Sequence, residues 1–207
     1  NGWILNLDSI DAIANNSDFL KKYNITNGKI SLHKNSDELY TKFNGNIDYA
    51  YKLLVNKDKP ILNYKIDGYI TKQQDIYIKI NDKTNIEISN DLKINMHDSG
   101  INLDQLLQFV KMITSQEKYK NDEKMNVFFK ADNSYIYVGK NRYVISDKID
   151  LQFYNGIITA QLSHANGKAG FKLSNNEFHL YGRDFNDKFM ENLFSLSKFH
   201  GGSLDFS

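Results

Sequence analysis

Between Met125 and Gly182 apolar and polar residues alternate through one short segment after another. Period-two alternation puts successive side chains on opposite faces of an extended strand, so one face is built for burial and the other for water. The pattern predicts strands over 125–131, 134–139, 142–146, 148–154, 157–164, 168–174 and 177–182. The first half reads alike. Strands are expected at Trp3 to Leu7, within Ile25 to Leu32 following a turn or bulge at Asn27-Gly28, and at 38–48, 50–57, 61–71, 75–81, 84–89 and 91–97. Connections as short as Asn81-Asp82-Lys83 and Thr71-Lys72-Gln73-Gln74 suit antiparallel hairpins in a meander.

Three segments change period. Asp8 or Ser9 can cap a helix over 9–22 carrying Ile10, Ile13, Ala14, Phe19 and Leu20. After Asp98-Ser99-Gly100 breaks the strand pattern, Asn102 is placed to cap a helix over 102–116. Its stripe is Leu103, Leu106, Leu107, Val110 and Ile113. A third helix is predicted over 186–198, with Phe189, Leu193, Phe194 and Leu196 apolar, before Phe199-His200-Gly201-Gly202-Ser203-Leu204 starts another strand. The expected architecture is mainly β: a long, curved antiparallel sheet capped by about three α-helices. The 207 residues suit a single segment, with possible halves 1–118 and 119–207.

The apolar faces of these strands are the candidate site. Ile76, Ile78 and Ile80, then Ile86 and Ile88, then Leu92, Ile94 and Met96 each project to one side of a strand. So do Ile149, Leu151 and Phe153, then Ile158 and Leu162, Phe171 and Leu173, and Phe178 and Leu180. Lys79, Asp150, Gln152, Gln161 and Lys172 face the other way. Two such sheets can bury each other as a sandwich. A curled sheet can instead offer its apolar face to acyl chains. Both need the same alternation.

Composition narrows the rest. Hydrophobic residues make up 41% and charged residues 25%, ordinary for a folded chain. The charge balance is 26 basic against 25 acidic with no long run of one sign, which disfavours nucleic acid as a partner. Without cysteine there are no disulfides, thiol nucleophiles or Cys-based zinc sites. One proline, Pro60, suits long uninterrupted strands. The histidines His33, His97, His164, His179 and His200 lack metal-ligand spacing. No nucleophile elbow, phosphate loop or dinucleotide fingerprint is present. Asp184 and Asp187 could be drawn as an acid–base pair but sit where helix caps belong. Tyr and Phe, 13 of each, fall mostly at strand positions, where they pack well without any stacking ligand. A non-enzymatic protein with no cofactor and no metal is expected. The chain opens at Asn1 and stops at Phe206-Ser207 inside an apparent strand, and so reads as a fragment of a longer protein.

The last third carries a resemblance. Ile149-Asp150-Leu151-Gln152-Phe153, Asn155-Gly156-Ile157-Ile158, Gln161-Leu162-Ser163-His164, Gly167-Lys168-Ala169-Gly170-Phe171 and Phe178-His179-Leu180-Tyr181-Gly182 are similar to the C-terminal region of AsmA-like proteins. Asn186-Asp187-Lys188-Phe189-Met190-Glu191-Asn192-Leu193-Phe194 and Phe199-His200-Gly201-Gly202-Ser203-Leu204 extend the likeness. The step from Asp98-Ser99-Gly100 into a Leu-Leu helix resembles the large AsmA-like proteins. The resemblance is strongest over 91–207. It implies a Gram-negative envelope protein, tethered to the inner membrane by an anchor absent from this sequence and projecting into the periplasm. It further implies a β-groove that binds phospholipid acyl chains and conducts them between the inner and outer membranes. The alternative is a structural β-sandwich scaffold that engages envelope proteins during outer-membrane assembly.

Overall fold

The computed structural model describes residues 2–16, 25–50, 61–102, 125–137, 143–174, 177–185 and 204–206. The chain forms two units, Asn1–Ser89 and Asn90–Ser207. Both are mainly β and mostly antiparallel. The expected midpoint at 118 and 119 lies outside the described residues, as do 51–57 of one expected strand and the expected helix over 186–198.

The first unit is a meander of strands β1 (Trp3–Leu7), β2 (Ile25–Lys34), β3 (Thr41–Ala50), β4 (Ile61–Ile70), β5 (Ile76–Ile80) and β6 (Thr84–Ile88). Each pairs antiparallel with the next. Helix α1 (Asp11–Asn16) lies between β1 and β2, and of the helix expected over 9–22 only this part is described. Ser9, one of the two capping residues expected, accepts through its Oγ from the Asp11 amide at 3.2 Å, at the first residue of the helix. Just before it, buried Ile10 donates its amide to the Gly28 carbonyl at 2.9 Å, tying the helix start to β2. The β5–β6 turn carries positive φ at Asn81 (49°) and Asp82 (58°). That conformation matches the twist of a tight hairpin, and Asn and Asp adopt it at little cost.

The second unit orders its strands β7 (Asp91–His97), β9 (Asn126–Tyr137), β10 (Tyr143–Tyr154), β11 (Ile157–His164), β12 (Gly167–Ser174), β13 (Glu177–Phe185) and β14 (Leu204–Phe206). A short β8 (Gly100–Asn102) pairs with the far end of β9. From β9 onward the neighbours are antiparallel, and Asn155-Gly156, with φ of 50° and 79°, closes the β10–β11 hairpin.

Three expectations are corrected. Residues 126–131 and 134–137 of two expected strands belong to one strand, β9, and 143–146 and 148–154 of two others to one strand, β10. β7 and β8 run parallel to β9, against an all-antiparallel meander. Parallel neighbours need a long crossover, and 23 residues separate Asn102 from Asn126. Asn102, expected to cap a helix, is the last residue of β8, and 103–116 lie outside the described residues.

Candidate functional site

Residues directly opposite on paired strands share a face. The registers therefore assemble the apolar positions into rows across each sheet. In the first unit one row runs Leu5, Leu32, Phe43, Gly68, Ile78 and Ile86. Its neighbour runs Leu7, Ile30, Gly45, Ile66, Ile80 and Thr84. A third joins Ile70, Ile76 and Ile88. Ile76, Ile78, Ile80, Ile86 and Ile88 thus share one face, all half-buried, with Ile66 buried among them. The Phe43 ring lies over Gly68, in space that a Cβ would occupy. The glycine is therefore part of how an aromatic fits this face.

The opposite face of this unit is polar and aromatic. Tyr69 and Tyr77 stack with ring centres 4.6 Å apart, and Tyr40 tilts against Tyr69 at 5.3 Å. Lys42 pairs with Glu38 and sits over the Tyr40 ring, while Lys65 pairs with Asp67 at 3.1 Å and Lys79 with Asp82. The Lys42 hydrogen bond holds the Glu38 carboxyl below its ordinary range, against some desolvation, and Glu38 in turn raises the Lys42 ammonium. Lys79 and Asp82 act on each other in the same two directions, through their hydrogen bond first.

In the second unit three rows each cross six strands. One runs Leu92, Val127, Phe153, Ile158, Leu173 and Phe178; the next runs Ile94, Phe129, Leu151, Ala160, Phe171 and Leu180. A third runs Met96, Ala131, Ile149, Leu162, Ala169 and Gly182. The structure therefore brings Leu92, Ile94, Met96, Ile149, Leu151, Phe153, Ile158, Leu162, Phe171, Leu173, Phe178 and Leu180 to a single face. Accessibility along it is graded. Ile101, Phe129, Ala131, Ile149 and Leu151 form a buried cluster, with Ile94, Met96, Ile136, Ala160 and Leu162 packed against it. Phe153 is buried as well. Toward β13 the face opens: Leu173 is exposed, Leu180 is 46% exposed and Phe178 60%. The Phe171 and Phe178 rings lie 5.7 Å apart at this lip.

Ile149, Leu151 and Phe153 are thus taken up by protein packing, while Phe171, Leu173, Phe178 and Leu180 form the accessible part of the predicted lining. Sequence reasoning passed over Val127, Phe129, Ala131 and Ile101, which build the buried base, and Leu32, Phe43 and Ile66 in the first unit. The signal was present. Val127, Phe129 and Ala131 recur at every second position like the positions chosen, although Phe128 between the first two is itself apolar.

A polar crease crosses this sheet beside the third row. Asp98 and Asn133 take left-handed backbone, with φ of 46° and 45°, and Asn133 Nδ2 donates to Asp98 Oδ1. The β9–β10 register steps from Asp132↔Lys148 to Ser134↔Ser146, passing over Asn133 and Asp147. The Ser134 and Ser146 hydroxyls, fully buried, donate to the carbonyls of Asp132 (2.8 Å) and Lys148 (2.8 Å). Ala131 and Ile136 are five positions apart, which strict alternation would place on opposite faces; both pack in one cluster. The irregularity at Asn133 resets the alternation, as an extra residue in a strand does.

These faces suit contact with hydrocarbon. Among the described residues no cluster of three or more His, Cys, Asp or Glu side chains can hold a metal, and no helix is long and apolar enough to cross a membrane. The chain matches no family model, no curated protein and no solved structure.

Proposed function

We propose that this chain is a lipid-binding segment that holds acyl chains against the apolar face of its sheets. It acts without chemistry, as part of a periplasmic protein that is tethered to the inner membrane and moves phospholipid between the two membranes. One observation carries the reading: the face packed around Phe129 and Leu151 continues in register to exposed Phe171-flanking positions, Leu173, Phe178 and Leu180. Large apolar side chains left open in a contiguous patch mark a site of interaction. Each buried methylene is worth about 0.8 kcal/mol, so a two-chain lipid crossing water faces a barrier on the order of 20 kcal/mol. An apolar sheet face offsets part of that cost, and it requires no nucleophile, cofactor or metal. The resemblance to AsmA-like proteins supports the compartment and the lipid class.

Photo-crosslinking side chains at Phe178 and Leu180, with His179 and Lys172 on the other face as controls, test the proposal in cells. Lipid adducts are expected at the first pair and absent from the second. Equal yields on both faces, or none at Phe178 and Leu180, overturn it. The second reading, a scaffold whose apolar face is closed by protein, draws on the buried cluster of Phe129, Ala131, Ile149 and Leu151. It is favoured if the purified chain retains no lipid detectable by mass spectrometry.

A further inference from the structure

We propose that the polar face of the second unit carries a binding site for an acidic polysaccharide, centred on Tyr181. The site lies on the side of the sheet opposite the apolar rows and is independent of lipid binding. Gly170 and Tyr181 stand opposite each other on β12 and β13, with Gln161 next in line on β11. A Cβ on Gly170 would run into the Tyr181 ring and hydroxyl, and Gln161 Nε2 donates to that hydroxyl at 3.0 Å. The ring therefore reaches across β12 toward β11, over a position kept clear by glycine. It does so at the surface, with Tyr181 still 39% exposed.

Cations flank the ring on both sides. In the next row Lys168 opposes Arg183, and in the row beyond the other side Lys172 opposes His179. Like charges set directly opposite weaken a sheet, so folding alone does not account for Lys168 against Arg183. Arg183 has Asp184 at 3.4 Å and His179 has Glu177 at 3.9 Å, whereas among the described residues neither Lys168 nor Lys172 makes an ion pair. Both lysines are exposed. Across β11, β12 and β13 these three rows contain no carboxylate.

Lys168 and Lys172 are four residues apart on one strand, about 13 Å. A matching ligand carries negative charge at two places and an apolar ring surface between them. An acidic polysaccharide has both: anionic groups at intervals, and sugar C–H faces that pack on the electron-rich face of an aromatic. Thr159, Gln161 and Ser163, in the same rows, add hydroxyl and amide groups for sugar hydroxyls. Single-stranded nucleic acid also offers charge and ring faces, but 26 basic against 25 acidic residues give the chain no excess for it. An anionic bilayer uses the lysines and has no use for Tyr181.

Calorimetric titration of the full chain with oligogalacturonate and with a sulfated dextran oligomer tests the site, with maltohexaose as the uncharged control. Binding of at least one acidic probe is expected, weakened by about 0.5 M salt, and none of maltohexaose. Tyr181→Ala should weaken binding about tenfold, and Lys168→Gln with Lys172→Gln about tenfold or more. Lys130→Gln, on the same face but opposite Asp150, should leave it unchanged. All these side chains are exposed, so each variant should keep the parent's circular dichroism and thermal midpoint. Failure of both acidic probes overturns the proposal, as does binding indifferent to Tyr181→Ala or equally sensitive to Lys130→Gln. Tighter binding to an oligouridylate or to phosphatidylglycerol vesicles than to either sugar probe overturns it as well.

Discussion

At the scale of single residues, the polar face of the first unit is organised by paired charges rather than isolated ones. Glu38 and Asp82 are each held below the ordinary carboxylate value by a hydrogen bond from a lysine, and Lys42 and Lys79 are raised in return. A carboxyl whose folded pKa is lowered contributes stability that is present above its unfolded value and is lost as pH falls through the folded one. A lysine whose folded pKa is raised contributes below its unfolded value and loses that contribution as pH climbs through the folded one. These two pairs therefore give a plateau at neutral pH, a decline on the acid side starting below 4.5, and one on the alkaline side starting above 10.5. Glu38→Gln should flatten the acid limb of a plot of thermal midpoint against pH, and added salt should do the same to the parent. The effect is small because both pairs lie at the surface, Lys79 and Asp82 exposed and Lys42 and Glu38 half-buried, where such pairs count for little. An acid limb identical in Glu38→Gln and parent would locate the titrating groups elsewhere.

At the scale of elements, Asn133 decides what β9 is. Its left-handed backbone costs a residue with an ordinary side chain about 1–2 kcal/mol, and Asn tolerates it better than most. Its amide also donates across to Asp98 at the matching position of the β7–β8 break. Asn133→Ala should lower stability by about 1–2 kcal/mol in a denaturant titration, and Asn133→Gly should recover the backbone part of that loss. Equal stability of Ala and Gly variants would mean that the crease does not depend on the conformation at this position. The same residue explains where the sequence misleads. Asp132-Asn133-Ser134 carries the polar, small residues of a turn, so it reads as the end of one strand and the start of another. Turns and bulges ask for the same left-handed residues, and local composition does not distinguish them. Alternation did locate β5, β6, β7, β11 and the 148–154 part of β10, because each has one apolar face and clear boundaries. It was silent on partners. Nothing in 91–97 or 125–131 announces that β7 lies parallel beside β9, since period two fixes which side a residue faces and not which strand it meets.

At the scale of the whole molecule, the question is how much apolar surface the protein keeps for itself. Phe129 and Phe178 look equivalent in sequence, each an aromatic in an alternating strand, yet Phe129 is 4% exposed and Phe178 is 60% exposed. The difference is set by what covers the sheet, which no alternation pattern encodes. It also separates the two readings of the chain. Phe129→Ala removes a ring from the packed cluster and should cost about 3–5 kcal/mol of stability. Phe178→Ala removes a ring that already meets solvent, and should leave the unfolding midpoint nearly unchanged while reducing lipid retained by the purified protein. Adding Leu180→Asp, at another exposed position of β13 on the same face, should reduce retained lipid further, because a carboxylate beside an acyl chain is costly to desolvate. Stability from denaturant titration and bound lipid from mass spectrometry are measured on the same preparations. A scaffold closed by its own packing predicts one axis of variation, in which lipid content never depends on Phe178. A lipid-holding sheet predicts two axes, with Phe129 moving the first and Phe178 the second.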